Sequence, residues 1–201
     1  MSIYSMENKR SISKENTFSK IIASTNSLIL KDGVLKVTTL NISKHAHIAH
    51  GTVFAHFKTK EDLIIKVIKD KLLSIAKKLK DLAQSKQSSL VAVLENYFDL
   101  MINEERFFEI LAIEFPFFPE VLKKEIISTE AIMKNIIYAM IERGIKINIY
   151  KKTDITMAIS YFFGTLNYYL TRKDFFSENK SSVLRMKKNS IINTFFQLLN
   201  K

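Results

Sequence analysis

The sequence contains no cysteine, and it has only two prolines and four glycines among 201 residues. Without cysteine the chain can form no disulfide framework, thiol nucleophile or cysteine-ligated zinc site. Both prolines lie close together, at Pro116 and Pro119. Because proline removes a backbone donor and clashes inside a helix, this pair predicts a break between two helices.

Long apolar runs are also lacking. The longest uncharged run, Ile155–Thr171, carries the polar residues Ser160, Thr165 and Asn167, and the first ten residues have no apolar core behind their charges. Neither a membrane span nor an export signal is predicted, so we expect a cytoplasmic protein with no membrane partner. The net charge of +11 attracts phosphate. That charge is spread along the chain, so it agrees with DNA binding without establishing it.

Two short apolar stripes stand close together in residues 38–60, TTLNISKHAHIAHGTVFAHFKTK. Ile42 and Ala46 are four residues apart, as are Val53 and Phe57, which is the spacing of neighbours on one helix face. The residues between the stripes are too few for an ordinary loop. They predict two helices joined by a turn of three or four residues, the geometry of a helix-turn-helix.

This stretch resembles the DNA-binding domain of the TetR family of transcriptional repressors, whose pattern runs Thr-x-x-x-Ile-Ala-x-x-Ala-Gly-Val-Ser-x-Gly-Thr-Leu-Tyr-x-His-Phe-x-x-Lys-Glu-x-Leu. The residues that match it are Thr38, Ile42, Ala46, Gly51, Thr52, His56, Phe57, Lys60, Glu61 and Leu63. The family's first helix and its terminating glycine are matched upstream by Phe18, Ile21, Ile22, Thr25, Ile29 and Gly33. The resemblance covers about the first third of the chain and implies a DNA-binding transcriptional regulator rather than an enzyme.

Three positions depart from the family pattern. His47 replaces the turn glycine, and histidine is among the residues that tolerate a left-handed backbone. Ala49 replaces the serine that would cap the second helix, at a cost to that helix of about 1 kcal/mol. Phe54 replaces a tyrosine that, in the family, donates its hydroxyl to a phosphate. Phe54 can pack there but cannot donate.

The motif predicts a surface that holds double-stranded DNA. The first residues of a recognition helix approach base edges in the major groove, while neighbouring helix N-termini hold phosphates. The predicted contact residues are Thr38, Thr39, His50, Gly51, Thr52, Phe54, His56 and Lys60. The reading helix contains no arginine, so bidentate contacts from arginine to guanine are excluded. We therefore expect an AT-rich, palindromic operator.

Beyond the motif, apolar residues keep a helical spacing and never alternate as they would in a strand. The predicted fold is all-α, with an N-terminal three-helix helix-turn-helix domain followed by a helical-bundle domain for ligand binding and dimerisation. Residues 1–15 are predicted as a flexible arm, 16–62 as the DNA-binding domain and 63–201 as the regulatory domain. The predicted helices cover 16–31, 60–84, 90–101, 107–115, 121–143, 154–172 and 183–199, with Gly33 and Gly144 as terminators.

The regulatory domain is expected to receive the signal that releases a repressor from DNA. Aromatic and methionine side chains at helical spacing are predicted to line a pocket for a small apolar or amphipathic effector, at Tyr97, Met101, Phe108, Phe115, Phe118, Met133, Ile137 and Phe162. The same pattern is typical of a packed core. A regulator that binds DNA without any ligand therefore remains an alternative.

The last two helices carry apolar residues on more than one face. A second apolar face on a surface helix needs a cover, and a partner subunit is the usual one. The family resemblance implies the same dimer. The predicted homodimer interface comprises Tyr161, Thr165, Tyr168, Tyr169, Ile191 and Phe195, with Gly164 permitting close approach. Burial of both faces within one chain is the alternative.

Two further site types were weighed. The four histidines all lie inside the motif, at His45, His47, His50 and His56. Their spacing suits a loop rather than one helix face, and we expect no metal and no other cofactor. A helical-bundle enzyme is suggested by the carboxylates near residues 104–114, at Glu104, Glu105, Glu109 and Glu114. No histidine follows the motif to complete a Glu-x-x-His pair, so these glutamates are interpreted as solvated charge.

Overall fold

The structure, a computed structural model, describes residues 3–85, 88–176 and 181–200, with side chains from residue 12 onwards. Every regular element among these residues is helical, which confirms the predicted all-α fold. The chain divides into two compact units, Met1–Ile68 and Lys69–Lys201. Their boundary falls inside a helix rather than in a linker, because α4 runs from Lys60 to Ala83.

The first unit contains α1 (Ile3–Asp32), α2 (Thr39–His45), α3 (His50–His56) and the beginning of α4. The helix α1 begins at Ile3, well before the start predicted near residue 16. Extending an existing helix by one residue is far easier than nucleating a new one, so the polar residues 3–15 can join a helix that the apolar residues behind them stabilise.

The end of α1 and the turn of the motif follow the prediction. Gly33 has a positive φ of 89°, and its N–H donates to the Ile29 carbonyl at 2.9 Å. His47 also has a positive φ, 53°, in the turn between α2 and α3. The Ile48 N–H donates to the Ser43 carbonyl at 3.0 Å and so closes that turn. The histidine therefore takes the conformation that the family's glycine would take.

The helices α4 and α3 are stabilised at their N-termini in different ways. At the start of α4, the Asp62 N–H donates to the Thr59 hydroxyl at 3.0 Å, and the Thr59 N–H donates to the Asp62 carboxylate at 3.2 Å. This reciprocal cap satisfies two backbone donors. Ala49, which precedes α3, supplies no side-chain cap. The reading helix is instead held by packing, since Val53 is buried.

In its described residues, the second unit contains the rest of α4 and six further helices. They are α5 (Leu90–Asn103), α6 (Glu105–Glu114), α7 (Glu120–Lys146), α8 (Ile155–Thr171), α9 (Lys173–Phe176) and α10 (Val183–Leu199), with a 3₁₀ turn at Phe115–Phe117. Helix α8 packs against α6, α7 and α10, and α10 also packs against α5. In the described part of the chain, no helix combines the length and apolar character that crossing a membrane requires.

Two local features differ from the prediction. Helix α7 continues through Gly144 to Lys146 instead of ending there. A Cβ at Gly144 would clash with the Tyr150 ring, so this glycine makes room for an aromatic ring. The chain then turns at Asn148, whose φ is 59°. The four-residue helix α9 was not predicted, because it is too short to show an apolar period.

The core of the second unit is built from aromatic rings. Phe162 of α8 is fully buried, and its ring centroid lies 5.7 Å from that of Phe98 on α5 and 5.2 Å from that of Phe195 on α10. Both pairs have edge-to-face geometry, which is favourable between aromatic rings. Phe162 therefore packs α8 against both α5 and α10.

Glu105, the first residue of α6, is buried rather than solvated, so the interpretation of this glutamate as solvated charge is wrong. Its carboxylate accepts the Val183 N–H at 3.0 Å and the Ser182 hydroxyl, at the N-terminus of α10. The Lys173 Nζ lies 3.6 Å from the same carboxylate. A carboxylate at a helix N-terminus complements the helix dipole. Glu105 therefore caps a helix that lies far away in sequence.

Replacing Glu105 by alanine is expected to lower the free energy of unfolding by about 3 kcal/mol, because it leaves the Val183 N–H and the Ser182 hydroxyl without their acceptor and removes a carboxylate beside the Lys173 ammonium. Chemical denaturation measures this change. The matched control is Glu142→Ala, which removes an exposed pair with Lys146 and should cost at most about 0.5 kcal/mol. Equal losses in the two variants would contradict a capping role for Glu105.

Candidate DNA-binding surface and ligand cavity

The predicted DNA contacts gather around the first turns of α2, α3 and α4. The exposed members are Thr38, His50, Gly51 and Phe54. The half-buried members are Thr39, Thr52, His56 and Lys60. Val53, next to them in sequence, is 1% exposed and belongs to the core. The reading helix thus turns its polar and small residues outward.

Three of these residues form one cluster. The Thr39 hydroxyl lies 2.9 Å from the His50 Nε2, which joins the first residue of α2 to the first residue of α3. The His50 ring meets the Phe54 ring edge-on at 5.3 Å. Because Nε2 is engaged by Thr39, the other ring nitrogen of His50 is the one available for the predicted contact with DNA. The cluster fixes the orientation of His50 before any contact is made.

Two predicted contacts also have structural partners. The Thr38 hydroxyl accepts the Asn41 N–H at 3.1 Å and so caps α2. The His56 ring lies 6.1 Å from the Phe18 ring of α1. Gly51 differs from both, because a Cβ added there would meet no atom within 4 Å outside its own helix. Packing among the residues that the structure describes does not explain this glycine.

Replacing Lys60 by alanine is expected to weaken binding to every DNA sequence alike, by about 10-fold. It should also reduce the slope of log affinity against log salt concentration by about one per subunit, because one phosphate contact is lost. Lys60 is the first residue of α4 and forms no ion pair with the described residues, so its ammonium is available to a phosphate. Titrations on several DNA sequences at two salt concentrations measure both effects. His50→Ala is the comparison, and it should change base preference. A Lys60 variant that loses affinity for one sequence only would contradict the phosphate role.

The second unit contains a cavity of about 870 Å³ that is partly open to solvent. Its walls come from α5, α6, α7 and α8, and Leu72 of α4 also contributes. The apolar lining includes Met101, Phe108, Leu111, Phe115, Ile126, Met133, Ile159, Leu166 and Leu170. A cavity of this size and lining falls within the range of small-molecule sites.

The structure brings five of the eight predicted pocket residues to this cavity: Tyr97, Met101, Phe108, Phe115 and Met133. The other three, Phe118, Ile137 and Phe162, are absent from its lining and are at most 3% exposed. They belong to the packed core. Phe163, the neighbour of Phe162, lines the cavity instead.

Sequence reasoning missed the polar side of the cavity. Helix α8 contributes Thr156, Ser160, Gly164 and Asn167, spaced by three or four residues along one face. Helix α7 contributes Asn135 and the pair Glu130 and Lys134, whose charged atoms lie 3.2 Å apart. A polar stripe on an otherwise apolar helix is visible in the sequence, and it could have indicated a polar wall of the cavity. The cavity therefore has apolar walls and a polar rim.

Tyr97 is the most deeply buried polar residue of the cavity, at 2% exposure. Burial raises the pKa of its hydroxyl far above the ordinary value, and the nearby Glu130 carboxylate raises that pKa further. The phenol is therefore neutral and keeps its proton at physiological pH. It is a hydrogen-bond donor in an apolar wall.

The predicted dimer residues fall into two groups. Tyr161 and Tyr168 are 37% and 46% exposed, and Thr165 and Tyr169 are half-buried on the same side of α8. Ile191 and Phe195 are only 3% and 0% exposed, so they belong to the core and not to a surface. A side chain at Gly164 would meet no atom within 4 Å, and this glycine lines the cavity.

The remaining carboxylates near α6 have structural partners. Glu104 pairs with Lys71 at 2.6 Å, and Glu109 pairs with Arg106 and Lys173 at 3.0 and 3.4 Å. Among the described residues, no three histidine, aspartate or glutamate side chains are grouped so as to hold a metal ion. The pairs with Lys71 and Lys173 join elements that are distant in sequence, the pair with Arg106 lies within α6, and Lys173 is shared with Glu105.

The first unit matches a known family model. Residues 21–67 match the model described as bacterial regulatory proteins, tetR family. This range covers α2, α3 and the adjoining parts of α1 and α4. The match confirms the resemblance inferred from the motif at residues 38–60.

Similar proteins are also known over most of the chain. The fatty acid metabolism regulator protein of Bacillus subtilis (strain 168) is 24% identical over 158 residues, which cover 77% of this chain and 81% of that protein. The crystal structure of the transcriptional regulator FadR from Bacillus subtilis in complex with stearoyl-CoA has a TM-score of 0.75 at 21% identity, covering 89% and 97% of the two chains. The fatty acid degradation regulator FadR from Bacillus halodurans has a TM-score of 0.73 at 18% identity, covering 89% and 94%.

Proposed function

We propose that this DNA-binding transcriptional regulator, whose N-terminal domain belongs to the tetR family, is a repressor that a long-chain acyl ligand releases from its operator. The observation that carries the proposal is the cavity of about 870 Å³, which has apolar walls and a polar rim, in a chain that also has a helix-turn-helix. An amphipathic molecule fits that division, since its chain would bury apolar surface and its head would keep polar partners.

The class of ligand is suggested by the similar proteins. One of them is a fatty acid metabolism regulator, and the FadR structure from Bacillus subtilis contains stearoyl-CoA. The aliphatic and aromatic side chains of this cavity suit a hydrocarbon chain, and their number suits a long one. We therefore propose a fatty acyl thioester as the effector.

Helix α4 is the proposed connection between ligand and DNA. It begins at Lys60 in the first unit and supplies Leu72 to the cavity in the second. Ion pairs from Lys69 to Glu125 at 2.7 Å and from Lys71 to Glu104 at 2.6 Å tie it to α7 and to the start of α6. A ligand that shifts these helices would also shift α4. The ligand can release DNA only if it binds more tightly to the shifted state.

The proposed active species is a homodimer in the cytoplasm, where bacterial DNA lies. Large apolar side chains of α8 and α10 remain exposed, including Met157, Tyr161, Tyr168, Met186 and Leu198. An exposed apolar surface on two neighbouring helices favours a partner subunit. A two-fold dimer carries two reading helices and therefore binds a palindrome. The absence of arginine from α3 favours an AT-rich palindrome.

Two alternatives receive less support. A regulator without a ligand has no need of a large cavity with a polar rim. An enzyme that uses the carboxylates of α6 would need them available to a substrate. Instead Glu104 pairs with Lys71, Glu105 and Glu109 share Lys173, and Glu105 also caps α10. The structural roles of these groups favour the regulator.

Selection of bound fragments from random DNA tests the DNA-binding half of the proposal. We expect enrichment of one AT-rich palindrome whose half-sites lie about one helical turn or a simple multiple apart. A protein with Thr39 and His50 both replaced by alanine serves as the control and should enrich different or weaker sites. Failure of the unmodified protein to enrich any palindrome would overturn the proposal.

A further inference from the structure

The hydroxyl of Tyr97 has no hydrogen-bond partner among the described residues, although Tyr97 is 2% exposed and lines the cavity. Its recorded neighbours are aromatic rings, with Phe162 at 6.3 Å and Phe163 at 5.7 Å between centroids. Buried polar groups in native proteins are paired in the great majority of cases. The Tyr97 oxygen is not one of the fully buried side-chain atoms that lack a partner, so it reaches the open space of the cavity, where it can donate to an acceptor that enters.

Tyr97 lies where the packed core meets the polar rim of the cavity. Its ring neighbours are Phe162, which is fully buried in the core, and Phe163, which lines the cavity and whose ring is 5.1 Å from the Lys134 Nζ. Lys134 pairs with Glu130, and both side chains are about 40% exposed, at 38% and 40%. The apolar chain of an amphipathic ligand would meet its polar head at this border.

The chemistry of the site favours a neutral acceptor. The Tyr97 phenol keeps its proton, so it can donate one hydrogen bond. A carboxylate at this depth would lose most of its hydration and would face Glu130, whose charge reaches Tyr97. A carbonyl of an ester or thioester loses much less hydration. A methylene group in its place would leave the hydroxyl unpaired.

We propose that the Tyr97 hydroxyl donates a hydrogen bond to the carbonyl oxygen that joins the apolar chain of the ligand to its head. Tyr97 is then a specificity residue that selects acyl esters or thioesters over alkyl chains without a carbonyl. The proposal rests on the proposed function, because it requires an acyl chain in the cavity.

The test compares palmitoyl-CoA with its thioether analogue S-hexadecyl-CoA, which has a methylene in place of the carbonyl. Calorimetric titration of the full-length protein is expected to show palmitoyl-CoA binding about 10-fold more tightly, the effect of one buried hydrogen bond. In the Tyr97→Phe variant, the two compounds should bind equally, with palmitoyl-CoA weakened about 10-fold. Tyr138→Phe is the matched control, because Tyr138 also lines the cavity but is 40% exposed. This variant should keep the 10-fold preference.

Equal binding of the two compounds by the unmodified protein would overturn the role of Tyr97 and leave the proposed function standing. A 10-fold preference for palmitoyl-CoA that survives in Tyr97→Phe would also overturn the role of Tyr97. If neither compound binds and neither changes the affinity for DNA, the acyl ligand itself is wrong, and the role of Tyr97 falls with it. Thermal unfolding of Tyr97→Phe checks its fold, and S-hexadecyl-CoA binding as tight as in the unmodified protein confirms that its cavity is intact.

Discussion

Replacing Gly51 by valine is expected to weaken binding to the selected operator by about 100-fold or more while leaving the fold intact. Gly51 is the second residue of α3, and its position in the reading helix faces solvent. A branched side chain there would hold the backbone away from the base edges. A clash of a few kcal/mol occurs twice in a symmetric dimer, so the loss is large.

The fold should tolerate this change, because a Cβ at Gly51 would meet no atom of the described residues beyond its own helix within 4 Å, and this position of α3 is exposed. Valine also favours a helix slightly more than glycine does. Thermal unfolding and ligand titration are expected to be unchanged, and electrophoretic mobility shift of the operator measures the loss. Gly51→Ala serves as the intermediate control, with a smaller loss. Full operator affinity in the valine variant would show that this turn of α3 does not approach the DNA.

Replacing Phe162 by alanine is expected to lower the free energy of unfolding by about 3 to 5 kcal/mol, a large share of the stability of an ordinary domain. Phe162 is fully buried, and its ring contacts those of Phe98, Phe163 and Phe195. Truncation leaves a void among helices α5, α8 and α10 that the surrounding rings cannot fill. Denaturation monitored by circular dichroism measures the change.

The neighbouring substitution Phe163→Ala is the matched control. Phe163 lines the cavity and is half-buried, so its truncation should cost about 1 kcal/mol or less of stability. It should instead weaken binding of palmitoyl-CoA, because the ring forms part of the wall. Equal destabilisation by the two substitutions would contradict the separation of core from cavity at these adjacent positions.

The sequence predicted the DNA-binding unit closely, because its features are local. The turn at His47, the glycine that ends α1 and the cap at Thr59 depend on residues only a few positions apart. Their backbone conformations follow from chemistry that can be read directly along the chain. The extension of α1 to Ile3 was missed, since those residues show no apolar period.

The cavity was predicted less well, for a physical reason. Helical spacing shows that a residue faces inward, but it does not show whether a neighbouring helix fills the space in front of it. Phe162 and Ile137 therefore looked the same as Met133 in sequence, although only Met133 lines the cavity. That difference depends on contacts between helices distant in the chain.

The dimer surface and the glutamates illustrate the same limit. Ile191 and Phe195 were assigned to a partner because α10 is apolar on more than one face, yet α10 packs against both α5 and α8. Glu105 is predicted to be solvated charge because no histidine in that half of the chain could complete a metal site with it. Its partner, the N-terminus of α10, is 78 residues away along the chain. Pairing at that distance leaves no local signal.

The measurement that tests the central claim most directly is the affinity of the purified protein for its selected operator with and without saturating stearoyl-CoA. If the ligand cavity and the DNA-binding surface are coupled as proposed, the acyl thioester weakens operator binding by about 10-fold or more. Coenzyme A alone and octanoyl-CoA should have little effect, because neither fills the apolar cavity. An unchanged operator affinity, with stearoyl-CoA shown to be bound in the same sample, would contradict the account.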